Sequence, residues 1–274
     1  MPSCFQHEKL RVYQDSIKFV VWATEVLEPV PTKLAVWDQL DRAASSVPLN
    51  IAQGNGKSAP ADRCRSFDIA RGSALESAAC LDVLMGRGQL AGSKASAGKE
   101  LLRGIVRMLV GLMRTSSSDR LHETDASYGS AQQRGSSANS PDSLTPAFFD
   151  HEKLKVYQES VRFIDWTTPV LKDIPESYSL WSKLDRSSTS IVLSIAEGNG
   201  KFTNLDRCRF FEAARSSALG ASACLDALTA KGILPEPVMN SGKEFLLGII
   251  PMLGGLIRSN SSPSHHSEEV WSGD

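Results

Sequence analysis

One segment of the sequence contains the residues that close a phosphate-binding loop. Gly54-Asn55-Gly56-Lys57-Ser58 holds the Gly-Lys-Ser with which that motif ends. The motif also needs a glycine five residues before Gly56 and a strand upstream, but Ile51 stands there and the pattern predicts a helix. The matching segment Gly198-Asn199-Gly200-Lys201-Phe202 lacks the hydroxyl. We therefore interpret both segments as a helix end and a turn, where a glycine often adopts the left-handed conformation.

The histidines and cysteines lie too far apart in the sequence to indicate catalysis or metal binding. The chain has five of each, and it has no Cys-x-x-Cys pair. His7-Glu8 begins a zinc-binding His-Glu-x-x-His motif, but Arg11 stands where the second histidine belongs. A catalytic cysteine would need a histidine partner, which only His7 or His151 could supply, whereas single buried cysteines usually fill small apolar spaces. We predict no catalytic residue, no metal site and no cofactor.

Basic residues give the clearest indication of function. Ten of them recur at matched positions around the two glycine-rich segments: Arg42, Lys57, Arg63, Arg65, Arg71, Arg186, Lys201, Arg207, Arg209 and Arg215. Clustered arginine and lysine side chains bind nucleic-acid phosphates, so we expect these residues to form a positive rim. The alternative is a solvated helix end with local ion pairs, for example to Asp62 and Asp68. Base stacking has weak support, because only Phe202 and Phe210 interleave with the charges.

An internal repeat organises these residues. His7-Glu8-Lys9-Leu10 returns as His151-Glu152-Lys153-Leu154 at an offset of 144, and the offset holds without a gap to Arg114 and Arg258. A repeat of about 110 residues is a domain duplication, because solenoid repeats are about 20–50 residues long. We predict one copy at 5–114, a disordered Ser-rich linker at 115–148, a second copy at 149–258 and a disordered acidic tail at 259–274.

Each copy contains four segments with the apolar spacing of helices. In the first segment Leu10, Tyr13, Ile17 and Val20 recur at intervals of three and four, and the second copy repeats the pattern. No segment alternates with a period of two, and the turns between the segments are short. We therefore predict an all-α protein of two tandem antiparallel four-helix bundles joined by the linker.

Composition and charge restrict the function further. Lys+Arg 30 against Asp+Glu 31 excludes a histone-like polycation. The first copy nevertheless has 15 basic and 11 acidic residues, whereas the second has 13 of each, so phosphate binding should concentrate in the first. The longest uncharged apolar run, residues 245–257, is shorter than the roughly 20 residues of a membrane span. The odd cysteine count and the polar N-terminal residues lead us to expect a cytoplasmic protein without a membrane segment.

The motifs resemble those of a known family. Phe5 and Leu10-Arg11-Val12-Tyr13-Gln14, the segment LDRAASSVPLNIAQGNG at 40–56, and Ala70-Arg71-Gly72-Ser73 carry the resemblance. They are similar to four-helix-bundle proteins encoded by intervening sequences of bacterial 23S rRNA genes, and the accessory variability determinant of diversity-generating retroelements has a similar bundle. The resemblance implies ring-like pentamers with a basic surface, suspected of binding nucleic acid or a reverse transcriptase, and no established catalytic residue.

Some residues depart from the family's pattern. Paired basic residues often precede the Ala-Ala of the second helix in the family, but Asp41 and Asp185 replace the first of each pair. Only Arg42 and Arg186 remain, so one basic contact is weakened in both copies. A tandem chain also cannot fill a ring of five bundles with whole molecules.

These observations lead to two functional hypotheses. The first is a non-enzymatic, self-associating scaffold or adaptor that binds nucleic acid, RNA rather than DNA, through the rim between the second and third helices. The alternative is a protein–protein interaction module, for example an accessory subunit of a reverse transcriptase, without direct nucleic-acid contact.

Overall fold

The computed structural model of the chain describes residues 5–118 and 149–261, which form eight α-helices and no strand. The helices are α1 (Arg11–Leu27), α2 (Ala35–Asn55), α3 (Pro60–Gly86), α4 (Gly92–Ser118), α5 (Lys155–Asp173), α6 (Ser179–Gly200), α7 (Asn204–Ala230) and α8 (Glu236–Ser261). Short 3-10 helices, Gln6–Lys9 and Asp150–Lys153, precede α1 and α5. The predicted all-α fold of two tandem bundles is confirmed.

The ends of the fourth helices differ from the predicted boundaries. The helix α4 continues to Ser118 and α8 to Ser261, so they run four and three residues past the expected ends of the two copies at 114 and 258. The remainder of the predicted linker, 119–148, and of the predicted tail, 262–274, lies outside the described residues.

The two bundles bury the same apolar positions. In each bundle, one large side chain from each helix is at most 1% exposed: Phe19, Leu40, Leu81 and Leu102 in the first, and Phe163, Leu184, Leu225 and Leu246 in the second. These positions are related by the offset of 144, so each copy buries the same set of side chains among its four helices.

Left-handed glycines end α3 and α7 rather than α2. Gly88 and Gly232 have φ of +67° and +68°. After α3 the amide of Gly88 donates to the carbonyl of Met85, and the amide of Gln89 donates to that of Leu84, both at 2.8 Å, which is a Schellman motif. Gly56 has φ of −83°, so the expectation of a left-handed cap at the glycine-rich segment is wrong.

The glycine at position 54 serves packing instead. A Cβ added at Gly54 would lie 2.7 Å from Cε1 of Phe67, and one added at Gly198 would lie 2.8 Å from Cβ of Phe210. Both distances are too short for real atoms. These glycines therefore let the second and third helices of each bundle approach closely.

The two bundles pack directly against each other. We call their contact the seam; in it α3 and the start of α2 from the first bundle meet α5 and α6 of the second. The helix α3 has 14 buried residues, whereas its counterpart α7 has eight. The difference arises because only α3 is covered on a second side.

A buried ion pair lies in the seam. Nη2 of Arg87 is 2.8 Å from Oδ1 of Asp185, and both side chains are 2% exposed. Nη1 and Nη2 also donate to the hydroxyls of Thr167 and Ser188 at 2.8 and 2.9 Å. The other oxygen of Asp185 accepts from the amide of Ala35, the first residue of α2, at 2.7 Å. Most of the buried charge is therefore hydrogen-bonded, which such a pair requires.

A second polar cluster crosses the seam beside α4. Nζ of Lys99 is 2.5 Å from Asp82 of its own bundle and 2.9 Å from Glu152 of the other. The hydroxyl of Tyr157 donates to Asp82 at 2.7 Å. Burial acts to lower the pKa of the Lys99 ammonium, but the two carboxylates outweigh it and raise that pKa. The two clusters fix the bundles in one orientation.

Candidate nucleic-acid interface

One of the predicted rim residues, Arg71, lies in the seam between the two bundles. Arg71 is 7% exposed; it donates to Asp68 at 2.6 Å and to the carbonyl of Gly200 in the other bundle. Its guanidinium carbon lies 4.1 Å from the ring centroid of Phe202. Arg71 therefore joins the bundles and offers little surface to a ligand, whereas its counterpart Arg215 is exposed.

Three further rim residues hold the turns between helices. Lys201 pairs with Glu197 at 3.1 Å, and Arg207 donates to the Lys201 carbonyl at 2.7 Å. In the first bundle Arg63 donates to the carbonyl of Lys57 at 3.0 Å. The cations of Lys201, Arg207 and Arg63 are thus partly engaged within their own bundles.

The second helix of each bundle carries its arginine far from the turn. Arg42 lies thirteen residues before the end of α2, which is about 20 Å along the helix axis. It is exposed and pairs with Asp38 at 3.0 Å, and Arg186 occupies the matching exposed position of α6. Lys57, Arg65 and Arg209 are exposed nearer the turns. The ten residues therefore do not form one continuous rim, and their part in binding stays a prediction.

A partly buried carboxyl, that of Glu76, lies alongside α2 and the seam. Burial, together with the charge of Glu197 in the other bundle, raises the pKa of Glu76 to about 7, although Arg42 and Lys201 oppose the shift. This carboxyl reduces the positive potential near Arg42 once it ionises.

The structure instead brings basic residues together along α4. A groove of about 750 Å³ lies where α3 and α4 of the first bundle meet the turn between α6 and α7 of the second. Its lining is Cys64, Arg65, Asp68, Val110, Met113, Arg114, Phe202, Thr203 and Asp206. The lining combines an apolar floor with arginines and one exposed aromatic ring.

A second groove of about 300 Å³ continues along the same helix. Arg103, Val106, Arg107 and Val110 of α4 line it, together with residues of the seam that include Arg71 and Phe149. Because Val110 lines both depressions, they are adjacent, and we call them together the α4 groove.

The arginines of α4 are the residues that the sequence analysis missed. Arg103, Arg107 and Arg114 are spaced by four and seven residues, which places them on one face of a helix. The matching positions of α8 hold Leu247, Pro251 and Arg258. The larger positive charge of the first copy, together with the helical spacing of Arg103, Arg107 and Arg114, indicates these three arginines from sequence alone.

Acidic residues of the α4 groove are already paired. Asp68 is 2.6 Å from Arg71, Asp206 is 3.4 Å from Arg209, and Asp150 is 2.9 Å from Lys153. Each pair lies within one helix turn or helix start, so these carboxylates weaken the positive charge of the groove without reversing it.

Phe202 is the aromatic residue of the α4 groove. Its side chain is 62% exposed although it lies against Arg71 and beside Arg65 and Arg114. Ser58 occupies the matching position of the first bundle, so the ring comes from one bundle and the surrounding cations from the other. Sequence spacing could not reveal this arrangement, because residue 202 is far from residues 65 and 114 in the chain.

In the described part of the chain, no three His, Cys, Asp or Glu side chains converge as metal ligands, and Cys64, Cys80, Cys208 and Cys224 form no disulfide. No helix within the described ranges is long and apolar enough to cross a bilayer.

The fold and groove define the protein as a tandem pair of four-helix bundles with a basic groove at their junction. The family model described as 23S rRNA-intervening sequence protein matches residues 8–111 and again residues 152–255. The chain belongs to this family and contains two copies of its domain. No curated protein and no solved structure matches the chain.

Proposed function

We propose that the chain is a non-enzymatic scaffold that binds single-stranded RNA along the α4 groove. The position of Phe202 carries the proposal, because this exposed ring lines the same groove as Arg65 and Arg114 of the other bundle. Proteins bind single strands by stacking bases on aromatic rings while arginines contact the backbone. The groove supplies both groups.

The spacing of the arginines suits an extended strand. Arg103 and Arg114 are eleven residues apart on one face of α4, which is about 16 Å along the axis. Arg107 lies between them, is exposed, and lines the second depression. A strand in the groove would therefore meet successive cations along its backbone.

Two further observations support RNA and the first bundle. The family takes its description from intervening sequences of 23S rRNA, which supports RNA rather than DNA as the nucleic acid. The charge of the copies differs, with 15 basic against 11 acidic residues in the first and 13 of each in the second. Electrostatic attraction is therefore strongest where α3 and α4 form the groove.

Fluorescence anisotropy with a labelled single-stranded RNA of about 12 nucleotides tests the proposal. We expect affinity to fall as salt rises, and the slope of log K against log salt to shrink by about 2 in the R65A/R107A/R114A variant, because single strands contribute about 0.7 per phosphate contact. F202A should weaken binding roughly 5- to 150-fold at constant slope, because one stacked base contributes about 1–3 kcal/mol.

A matched control variant distinguishes the effect of the groove arginines from the effect of removing any three positive charges. R11A/K18A/R162A removes three cations whose side chains are 85%, 69% and 67% exposed and which lie outside the groove. Equal loss in this control, or binding that is insensitive to salt, would overturn the proposal. The alternative function, a protein–protein interaction module, would be favoured by two results together. The chain would show no affinity for RNA, and a pull-down after nuclease treatment would recover a defined protein partner.

A further inference from the structure

A small cavity lies between the two bundles at one end of the seam. Its volume is about 210 Å³, and residues of both bundles line it. The first bundle contributes the connection before α2 and the turn after α3. The second bundle contributes the end of α5, the connection that follows it, and Trp181 of α6. The cavity therefore exists only because the bundles pack together, and neither copy of the domain contains it alone.

The floor of the cavity is apolar. Its most buried side chains, at most 8% exposed, are those of Leu34, Leu171, Ile174 and Trp181. The indole N–H of Trp181 already donates to the carbonyl of Leu171 at 2.9 Å, so it adds no unpaired polar group to the lining. An apolar cavity of about 150 Å³ holds a benzene molecule. This cavity therefore has room for a ring that carries one polar group.

Charged side chains surround the entrance of the cavity. Lys33 and Glu176 are 46% and 60% exposed and pair with each other across the seam. The ammonium of Lys33 also lies 5.5 Å from the centroid of the Trp181 ring. Lys172 is exposed as well, but it has no ion-pair or hydrogen-bond partner among the described residues. Within that part of the chain, Lys172 is therefore the cation of the entrance that is left to meet a ligand.

A buried cation lies behind the floor. Arg87 is 4% exposed and lines the cavity, and its two terminal nitrogens donate four hydrogen bonds to the second bundle. Asp165, a second carboxylate that acts on Arg87 besides Asp185, does not line the cavity. The Nε of Arg87 is buried without a hydrogen-bond partner among the described residues. The guanidinium therefore favours an anionic ligand over a neutral or cationic one.

The first bundle separates the general features of the domain from those of the cavity. Trp37 occupies the position that matches Trp181, and its indole N–H likewise donates to a backbone carbonyl, that of Leu27, at 3.2 Å. Glu28, in contrast, stands where the second bundle has Lys172. The tryptophan therefore belongs to the fold of each copy, whereas the lysine is particular to the bundle that lines the cavity.

We propose that the cavity binds a small organic molecule that has an apolar body of ring size and a single carboxylate. Glu176 already pairs with Lys33. Asp185 pairs with Arg87 in the same way, so the charge of Lys172 stays unbalanced in the lining. One carboxylate balances this charge, whereas a doubly charged phosphate would add negative charge beside Glu176. The body of the molecule packs on the apolar floor while its carboxylate meets Lys172.

Such a ligand contacts both bundles at once. It binds the packed chain and not the unfolded one, so it stabilises the seam by linkage. The proposal is independent of RNA binding, because the cavity shares no lining residue with the α4 groove.

Ligand-observed NMR of the full chain, with benzoate as the probe, tests the proposal. Benzoate is a monoanion at neutral pH, and benzamide has nearly the same shape without the charge. We expect saturation transfer to benzoate and an affinity for benzamide that is about tenfold lower, because the amide makes no charged hydrogen bond. Inorganic phosphate should not displace benzoate. The proposal is wrong if benzoate does not bind, if benzamide binds equally well, or if phosphate displaces benzoate.

Two lysines of α5 provide a matched pair of variants. Lys172→Gln should weaken benzoate binding about tenfold, because it removes the unbalanced charge and keeps the length of the side chain. Lys155→Gln should leave the affinity unchanged, because Lys155 is exposed on the same helix but lies outside the cavity. Equal affinities in the two variants would contradict the role of Lys172.

Tryptophan fluorescence locates the ligand. Benzoate in the cavity lies against Trp181, so its binding should change the emission of the chain. Trp181→Phe should abolish this change, whereas Trp37→Phe, the matched substitution outside the cavity, should preserve it. A fluorescence change that survives Trp181→Phe and disappears in Trp37→Phe would place benzoate elsewhere and overturn the assignment of the cavity.

Discussion

Asp185 accepts a hydrogen bond from Arg87 inside the seam, and Asp41, its counterpart 144 residues earlier, is exposed. The same residue in the same local sequence is therefore a buried partner in one bundle and a surface charge in the other.

Removing the cation of this pair should destabilise the chain strongly. Arg87→Ala leaves the Asp185 carboxylate buried without its partner, which costs about 3–5 kcal/mol of unfolding free energy. Urea unfolding measures the loss. Replacing both residues by leucine should cost less than Arg87→Ala alone, and an equal or larger cost would show that the unpaired charge is not the cause.

Glu76 should make stability depend on pH. Its pKa is about 7 in the folded chain and 4.5 in the unfolded chain, so the folded state binds the proton more tightly. The resulting stabilisation is complete below pH 4.5 and is lost as pH rises to about 7, by up to about 3 kcal/mol. Glu76→Gln should therefore raise Tm at pH 8 and have little effect at pH 4.5. Glu25→Gln, at an exposed position of α1, is the control, and the same pH profile in both variants would contradict the assignment.

The packing role of Gly54 predicts opposite effects at two glycines. Gly54→Ala should cost about 1–3 kcal/mol, because its Cβ would overlap the ring of Phe67. Gly104→Ala in α4 should instead gain about 0.5–1 kcal/mol from helix propensity, because its Cβ would meet no described atom within 4 Å. Thermal unfolding distinguishes the two, and a neutral Gly54→Ala would show that α2 and α3 need no close approach.

The hydroxyl of Tyr157 should contribute to the seam. Tyr157→Phe removes its 2.7 Å hydrogen bond to the partly buried Asp82, which should cost about 1–2 kcal/mol. Tyr13→Phe is the matched change in the first bundle, outside the seam, and should cost almost nothing. Urea unfolding measures both costs, and similar costs for the two variants would contradict the role of the seam.

Local pattern predicted the bundles because helix packing depends on short-range spacing. Leu10, Tyr13, Ile17 and Val20 indicate a helix whichever copy they stand in, and the structure forms α1 there. The glycine-rich segment does end α2, but its left-handed cap was predicted wrongly, because glycine serves both capping and close packing and only the position of Phe67 shows which applies at Gly54.

Local pattern could indicate the arginines of α4, but not the groove that they line with residues of the second bundle. Arg71 and Arg215 occupy matching positions, yet one is buried and the other exposed, because the seam covers only the first bundle's third helix. Likewise, Phe202 lines the same groove as Arg65 only because the two bundles pack together. Neither fact depends on the residues next to these positions in the chain.

The covalent connection of the two bundles determines how their contact depends on protein concentration. Domains on one chain meet at an effective concentration on the order of millimolar, so the internal contact forms however little protein a cell makes. Duplication thus makes the contact between the two bundles independent of protein concentration.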